Sequence, residues 1–369
     1  MASPIPQSHP HPQQQSPSVI EPDDFSDADS AYPGSLGDAS YTTSITSSAM
    51  AYTYENGRRY HSFHEGEYVL PNDEQEQDRL DLVSADSTLP LDRGELHAAP
   101  IKNPRRVLDI GTGTGIWAID FADEHPESEV IVPSNPHGTP SLIDHIGQRV
   151  NFLRIPPNCR FEIDDFELPW SYSQPFDYIH GRELEGAIRD HNKLFRQAYE
   201  NLRPGGWLEM ASMDVNSYSD DGTHLKAVNL IEGIKNMHLA SKKHGKDMTT
   251  AATWKEKMEK AGFINVREDV YKVLLASESL VKAILTVLQL PQSPWPKDPK
   301  LKELGRYHQV NMFEAVGPYS FALFTRYLGW SRPEIEVLVA GMRKELRDFQ
   351  TYHLYTKVHI IYGQRPETD

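Results

Sequence analysis

Cysteine is almost missing from this 369-residue chain, where Cys159 stands alone. A single cysteine excludes an intramolecular disulfide and any zinc site built from thiolates, and it suits a reducing compartment. Nor is there an apolar run of about 18 residues, the length a helix needs to span a bilayer. The N-terminus lacks the basic and apolar regions of a secretory leader, so an intracellular protein is expected. Basic residues are absent before Arg58 and outnumbered overall, 37 against 53, for a formal charge of −16. Such a chain is not expected to bind nucleic-acid phosphates directly, and its partners are expected to be proteins. The histidines show no paired ligand spacing on one helix, so no metal is expected.

What the chain does have changes along its length. Residues 1–50 are rich in Ser, Pro, Gln and Asp and lack apolar periodicity, which predicts a disordered acidic tail. Residues 51–100 are aromatic and charged. Asn72 offers a helix cap ahead of Leu80, Leu82 and Val83, so this part is expected to be a helical segment packed on the core. An α/β core is expected over 101–276 and 351–369, with "YHLYTKVHIIYGQRP" as the last strand. A helical cap is expected over 277–350, from stretches such as "SLVKAILTVLQL" and "SFALFTRYLGW". Its aromatics (Trp295, Tyr307, Phe313, Tyr319, Phe324, Trp330) are expected to pack on the sheet rather than line a pocket.

The chemistry concentrates in "RVLDIGTGTGIWAIDFADEHP". "RVLDI" reads as a buried strand, "GTGTG" as a tight turn and the remainder as a helix that Pro126 stops. Glycines in such a turn allow the backbone to approach a ligand lying across the strand ends. A dinucleotide site would need G-x-G-x-x-G, but Ile116 occupies the last position, and the Gly-Lys-Ser/Thr of a phosphate loop is absent. Asp109 places a negative charge just before the glycines, where a pyrophosphate is repelled and an ammonium or sulfonium is welcome. S-adenosylmethionine carries both cations. Downstream, "CRFEIDDFELPW" predicts a strand ending at Asp164 and Asp165, placed to accept a hydrogen bond from the adenine amine. "FDYIHGREL" predicts another strand, and "FRQAYENLRPGGWLEMASMD" a helix, a turn and a strand.

In that order, "DIGTGTGIWAIDFADEHP", "PPNCRFEIDDFELPW", "FDYIHGREL" and "LRPGGWLEM" resemble the class I S-adenosylmethionine-dependent methyltransferases, and more narrowly the fungal LaeA-like regulatory group that includes velvet-interacting proteins. "YHSFHEGEYVLPNDEQEQDRLDL" resembles the segment preceding the glycine loop in that group. The resemblance spans residues 52–365. It implies a doubly wound, mostly parallel seven-stranded sheet and S-adenosyl-L-methionine as cofactor. It also implies velvet-type or other regulatory protein partners, a nuclear or cytoplasmic location, and a role in fungal development and secondary metabolism. The cofactor set expected on this basis is Asp109, Gly111, Thr112, Gly113, Gly115, Ser134, Asp164, Asp165 and Phe166.

One departure matters. The second strand of such a domain should end in an acid for the ribose hydroxyls, yet "EVIV" is followed by Pro133, Ser134 and Asn135, with no carboxylate until Asp144. Either the ribose contact is weakened to a neutral one through Ser134 or Asn135, or residues 132–150 replace the usual loop in this form of the chain. Methyl transfer itself asks mainly for in-line positioning, with a base only where the acceptor is protonated. His180 and Glu183 are the candidates for that base, set against a structural His180–Arg182–Glu183 network, while His191 beside a helix start at Asp190 reads as structural. Two alternatives stay open: a methyltransferase-fold scaffold without catalysis, and a small-molecule methyltransferase of a biosynthetic pathway.

Overall fold

The computed structural model describes residues 52–61, 69–88, 96–134, 155–163, 165–269 and 288–368. The acidic tail at 1–50, the loop at 135–150, Asp164 and most of "SLVKAILTVLQL" lie outside the described residues. The first described element is a hairpin of β1 (Tyr52–Glu55) and β2 (Arg58–His61). Its turn residues Asn56 and Gly57 have φ of 52° and 79°, the left-handed pair that a two-residue hairpin requires. The reading of 51–100 as a helical segment did not include this hairpin, which the Asn-Gly dipeptide signals, while the expected helix follows as the next element. In α1 (Glu74–Thr88) the cap also moves, because Asp73 rather than Asn72 accepts the Glu76 N–H, at 3.1 Å. Asp73 pairs with Arg58 as well, which ties the hairpin to the helix.

The remaining elements are β3 (Arg106–Ile110), α2 (Ile116–Glu124), β4 (Glu129–Ser134), β5 (Cys159–Ile163), β6 (Phe176–Arg182), α3 (His191–Asn201), β7 (Leu202–Met213), α4 (Val228–His244), α5 (Trp254–Ala261), β8 (Ile264–Asp269), β9 (Leu288–Pro291), α6 (Pro299–Leu323), α7 (Arg332–Arg347) and β10 (Tyr355–Gln364). They build one sheet of order β5-β4-β3-β6-β7-β10-β8. The first five strands run parallel, and β10 lies antiparallel between β7 and β8. β3 and β6 are buried along almost their whole length, as central parallel strands covered on both faces are. The expected seven strands become eight. β9 pairs with Tyr355–Val358 of β10, on the edge that β8 occupies further along. β9 is formed from the end of the apolar stretch read as helix, since a short apolar run does not by itself distinguish the two states.

The helices of the cap share an apolar cluster of their own, in which Leu230, Met237, Phe324, Ile335, Leu338 and Met342 are buried. α4 belongs to this unit, although sequence placed it with the core. Its first turn has no side-chain cap, and Glu345 of α7 supplies one instead by accepting the N–H groups of Asn229 at 3.0 Å and Leu230 at 2.8 Å. The expectation that the cap aromatics pack on the sheet is corrected, since most of them pack within the cap itself. Phe324 and Trp330 join the cluster, Trp295 is buried with its indole N–H donating to the Leu354 carbonyl, and Phe313 lies under Arg343 and Arg347. Tyr307 remains exposed.

The segment leading into β3 is clamped by Glu209, which is buried in β7 and accepts the Ala98 and Ala99 N–H groups at 2.9 and 2.6 Å. Replacing Glu209 by Ala leaves two donors without their acceptor, at about 1–3 kcal/mol each. Urea denaturation should therefore show a loss of about 2–6 kcal/mol, and an unchanged midpoint would contradict the clamp.

Candidate active site

The chain winds from β3 outward through β4 and β5, then returns to place β6 on the other side of β3. Where the winding reverses, neighbouring crossovers leave on opposite faces, and a crevice opens beyond the strand C-termini. Asp109 and His180 face each other across that point as partners in the β3–β6 register.

Both side chains are buried, and His180 Nδ1 lies 2.7 Å from Asp109 Oδ1. The Thr112 hydroxyl donates to Asp109 Oδ2 at 2.9 Å. His180 is also stacked on Trp117 of α2, with ring centroids 3.6 Å apart and planes 10° from parallel. Burial lowers the His180 pKa despite the opposing pull of Asp109, so at neutral pH the ring is neutral and donates its Nδ1–H to the carboxylate. Arg182 also feels Asp109, together with Glu183 and Asp120, while its burial works against its charge. Asp109 thus stands at the end of β3, ahead of the glycine turn, with both carboxylate oxygens engaged.

The glycine turn divides its labour. Gly111, Gly113 and Gly115 all have left-handed φ, at 74°, 61° and 81°. A Cβ on Gly111 would fall 2.0 Å from Leu184 Cδ2, and one on Gly115 would lie 2.9 Å from the Phe161 ring. These two glycines are thus required by packing. A Cβ on Gly113 would meet nothing within 4 Å among the described residues, which makes Gly113 the glycine whose missing side chain leaves open space in front of the backbone.

The other expected residues fall as follows. Asp165 is half-buried and accepts the Glu167 N–H at 2.9 Å. Phe166 packs into the core cluster with Ile110, Ile131 and Leu184. Ser134 ends β4, and Asp164 lies outside the described residues. Glu183 follows β6 with φ of 53°, a left-handed conformation uncommon for a side chain of this kind. Its Oε1 accepts the Met213 N–H at 3.0 Å and its own N–H donates to Ala211, so it ties the ends of β6 and β7 together. His180 and Glu183 are thus brought to the same strand end, His180 against Asp109 and Glu183 against the Met213 N–H.

Sequence reasoning missed Trp117, whose stacking on His180 depends on a contact between α2 and β6. It also missed Glu185, whose carboxylate accepts the N–H groups of Thr250 and Ala251 and whose pKa burial pushes up to about 8. His191 begins α3 behind the Asp190 cap, with Nε2 2.9 Å from the Thr250 hydroxyl, and burial lowers its pKa to about 4. Among the described residues no group of three or more His, Cys, Asp or Glu could hold a metal ion, and no helix is long and apolar enough to cross a membrane.

Two predictions follow from this geometry. Gly113→Ala should weaken S-adenosylhomocysteine binding in equilibrium dialysis by tenfold or more, with only about 1–2 kcal/mol of lost stability from the left-handed backbone. Gly111→Ala should instead fail mainly in thermal melting, and the opposite pattern would reverse the two assignments. For His191, the unfolded chain binds a proton below about pH 6.5 that the native state refuses until about pH 4. Its contribution is therefore complete above pH 6.5 and lost as the pH falls toward 4. The stability difference between the native chain and His191→Gln should climb from pH 4 to 6.5 by on the order of 3 kcal/mol and then level off. A flat difference would refute the shift.

The comparisons with known proteins agree with this arrangement. A family model described as a methyltransferase domain matches residues 86–268. The methyltransferase pytC of Aspergillus terreus is 36% identical over 90% of this chain and 94% of its own length. The secondary metabolism regulator LAE1 of Cochliobolus heterostrophus is 31% identical over 85% of this chain and 94% of its own. The protein-methionine methyltransferase laeA of Emericella nidulans is 29% identical over 85% and 76%. With that identity and that coverage, the chain belongs to the family of S-adenosylmethionine-dependent methyltransferases that includes the LaeA regulators and pytC.

Proposed function

We propose that the crevice at the β3–β6 reversal holds S-adenosylmethionine and that the chain transfers its methyl group within the control of fungal secondary metabolism. The observation that carries this reading is the Asp109–Gly111–Gly113–Gly115 turn, in which Gly111 and Gly115 pack on the core and Gly113 fronts open space next to Thr112, whose hydroxyl holds Asp109. When bound, the cofactor supplies a methyl carbon already activated by a sulfonium. The chain's own residues then position it. Asp109 favours the cationic end, Thr112 and His180 fix the carboxylate, and Trp117 holds His180 in place. On this reading the neutral His180 acts as a positioning residue.

The regulatory role rests on the relatives named as secondary metabolism regulators, and with it go velvet-type protein partners and a nuclear or cytoplasmic location. A second reading, a pathway enzyme with a small-molecule acceptor, is favoured by pytC and by the probable methyltransferase tdiE, which is 32% identical over 79% of this chain. To separate the two, methyl-labelled S-adenosylmethionine is incubated with the full chain and a fungal extract. Label precipitating with protein supports a regulatory acceptor, label in the organic phase supports a pathway acceptor, and no transfer to either contradicts methyl transfer.

A further inference from the structure

α4 carries apolar side chains on two opposite sides. One side turns Leu230, Gly233, Met237, Ala240 and His244 into the cap, and Gly233 lies so close to α7 that a Cβ there would fall 2.4 Å from the Met342 sulfur. The other side presents Val228, Ile231, Lys235, Leu239 and Lys242, which recur every three to four residues and so form one line along the helix. Val228 is 63% exposed, Leu239 47% and Ile231 41%. Single apolar side chains are ordinary on a protein surface, whereas a line of them marks a contact surface.

The charge of this face is the reverse of the chain's. Glu232 is outnumbered there by Lys235, Lys242 and Lys243, in a chain of formal charge −16. Among the described residues Lys235 makes no ion pair, and Lys242 reaches Asp247 only at 3.9 Å. The face therefore fits an occupant that is both apolar and acidic, and the chain itself contains one. Within residues 1–51, which lie outside the described ones, "VIEPDDFSDAD" (19–29) sets Val19, Ile20 and Phe25 among Glu21, Asp23, Asp24, Asp27 and Asp29, without a Lys or Arg.

The point at which this part of the chain joins the fold favours the same pairing. β1 begins at Tyr52, and the Glu55 carboxylate accepts from Arg326 at 2.6 Å and from the Thr325 hydroxyl at 3.0 Å. The same turn, Phe324–Leu328, meets the C-terminal end of α4. There Lys243 Nζ donates to the Tyr327 carbonyl at 3.3 Å, and the His244 and Tyr327 ring centroids are 4.9 Å apart. The chain thus enters beside the last turn of α4. The stretch from Asp29 to Tyr52 extends to at most about 80 Å, while the 17 residues of α4 make a helix about 25 Å long. Residues 19–29 can therefore reach the whole line, and a contact within one chain needs only modest affinity.

We propose that the exposed line on α4 is the docking surface for residues 19–29, with Val19, Ile20 and Phe25 against Val228, Ile231 and Leu239 and the acids against Lys235 and Lys242. Carbodiimide cross-linking of the full chain, which joins a carboxylate to a touching lysine amine with loss of water, provides the test. Mass spectrometry should find the acids of 21–29 linked to Lys235 and Lys242 at least about fivefold more often than to the exposed Lys102 and Lys300. The preference should fall severalfold in 1 M salt, where the screening length is about 3 Å. It should vanish in the double variant Ile231→Asp, Leu239→Asp, whose exposed positions leave the melting temperature unchanged, and in the triple variant Val19→Ser, Ile20→Ser, Phe25→Ser. Links spread evenly over the lysines, or a preference that survives both variants, overturn the proposal. In a mixture of isotope-labelled and unlabelled chains, links within one label support docking in the same chain. Links between labels assign the face to a second copy and overturn it.

Discussion

The Asp109–His180 hydrogen bond joins the two strands between which the chain reverses its winding, and the rest of the site is arranged around it. The bond is 2.7 Å long and buried on both sides, so water does not compete for either partner and the geometry is fixed. Asp109 is held from both sides, by His180 Nδ1 and by the Thr112 hydroxyl at the start of the glycine turn. Trp117 closes the far face of the imidazole and donates its indole N–H to the Leu96 carbonyl. That contact connects the segment ahead of β3 to the same centre, and Glu209 anchors the segment two residues further on. Strand, turn, helix and leading segment thus share one set of buried polar contacts, each satisfied by a neighbour on a different element.

Much of this was legible in the sequence, for reasons that differ from element to element. β3, α2, β6 and the helix stop at Gly262 were readable because both the period of their apolar residues and their turn residues are local signals. The three glycines were readable as a turn, but not which of them packs and which faces open space, since Leu184 and Phe161 reach them from distant parts of the chain. The Asp109–His180 pairing spans 71 residues and depends on the register of a parallel ladder, which no local pattern encodes. The hairpin at Asn56-Gly57 did carry its signal, within a segment whose charge and aromatics drew attention to the following helix. β9 was hidden because four residues at the end of an apolar run have no period to read.

The division between core and cap is likewise a matter of capping and packing rather than of sequence order. α4 follows β7 directly, yet its first turn is capped by Glu345 from α7 and its apolar face joins the cap cluster. The cap therefore takes in the helix that follows β7 in the chain. The family holds proteins named as secondary metabolism regulators and others named simply as methyltransferases.

The most direct test of the account is a calorimetric titration of the full chain with S-adenosylhomocysteine, comparing the native protein with Asp109→Asn. The account predicts one-to-one binding by the native chain, weakened at least tenfold, or about 1.4 kcal/mol, when the carboxylate is neutralised. No binding by the native chain, or equal binding by both, would contradict the assignment of the β3–β6 crevice as a site for a cationic methyl donor.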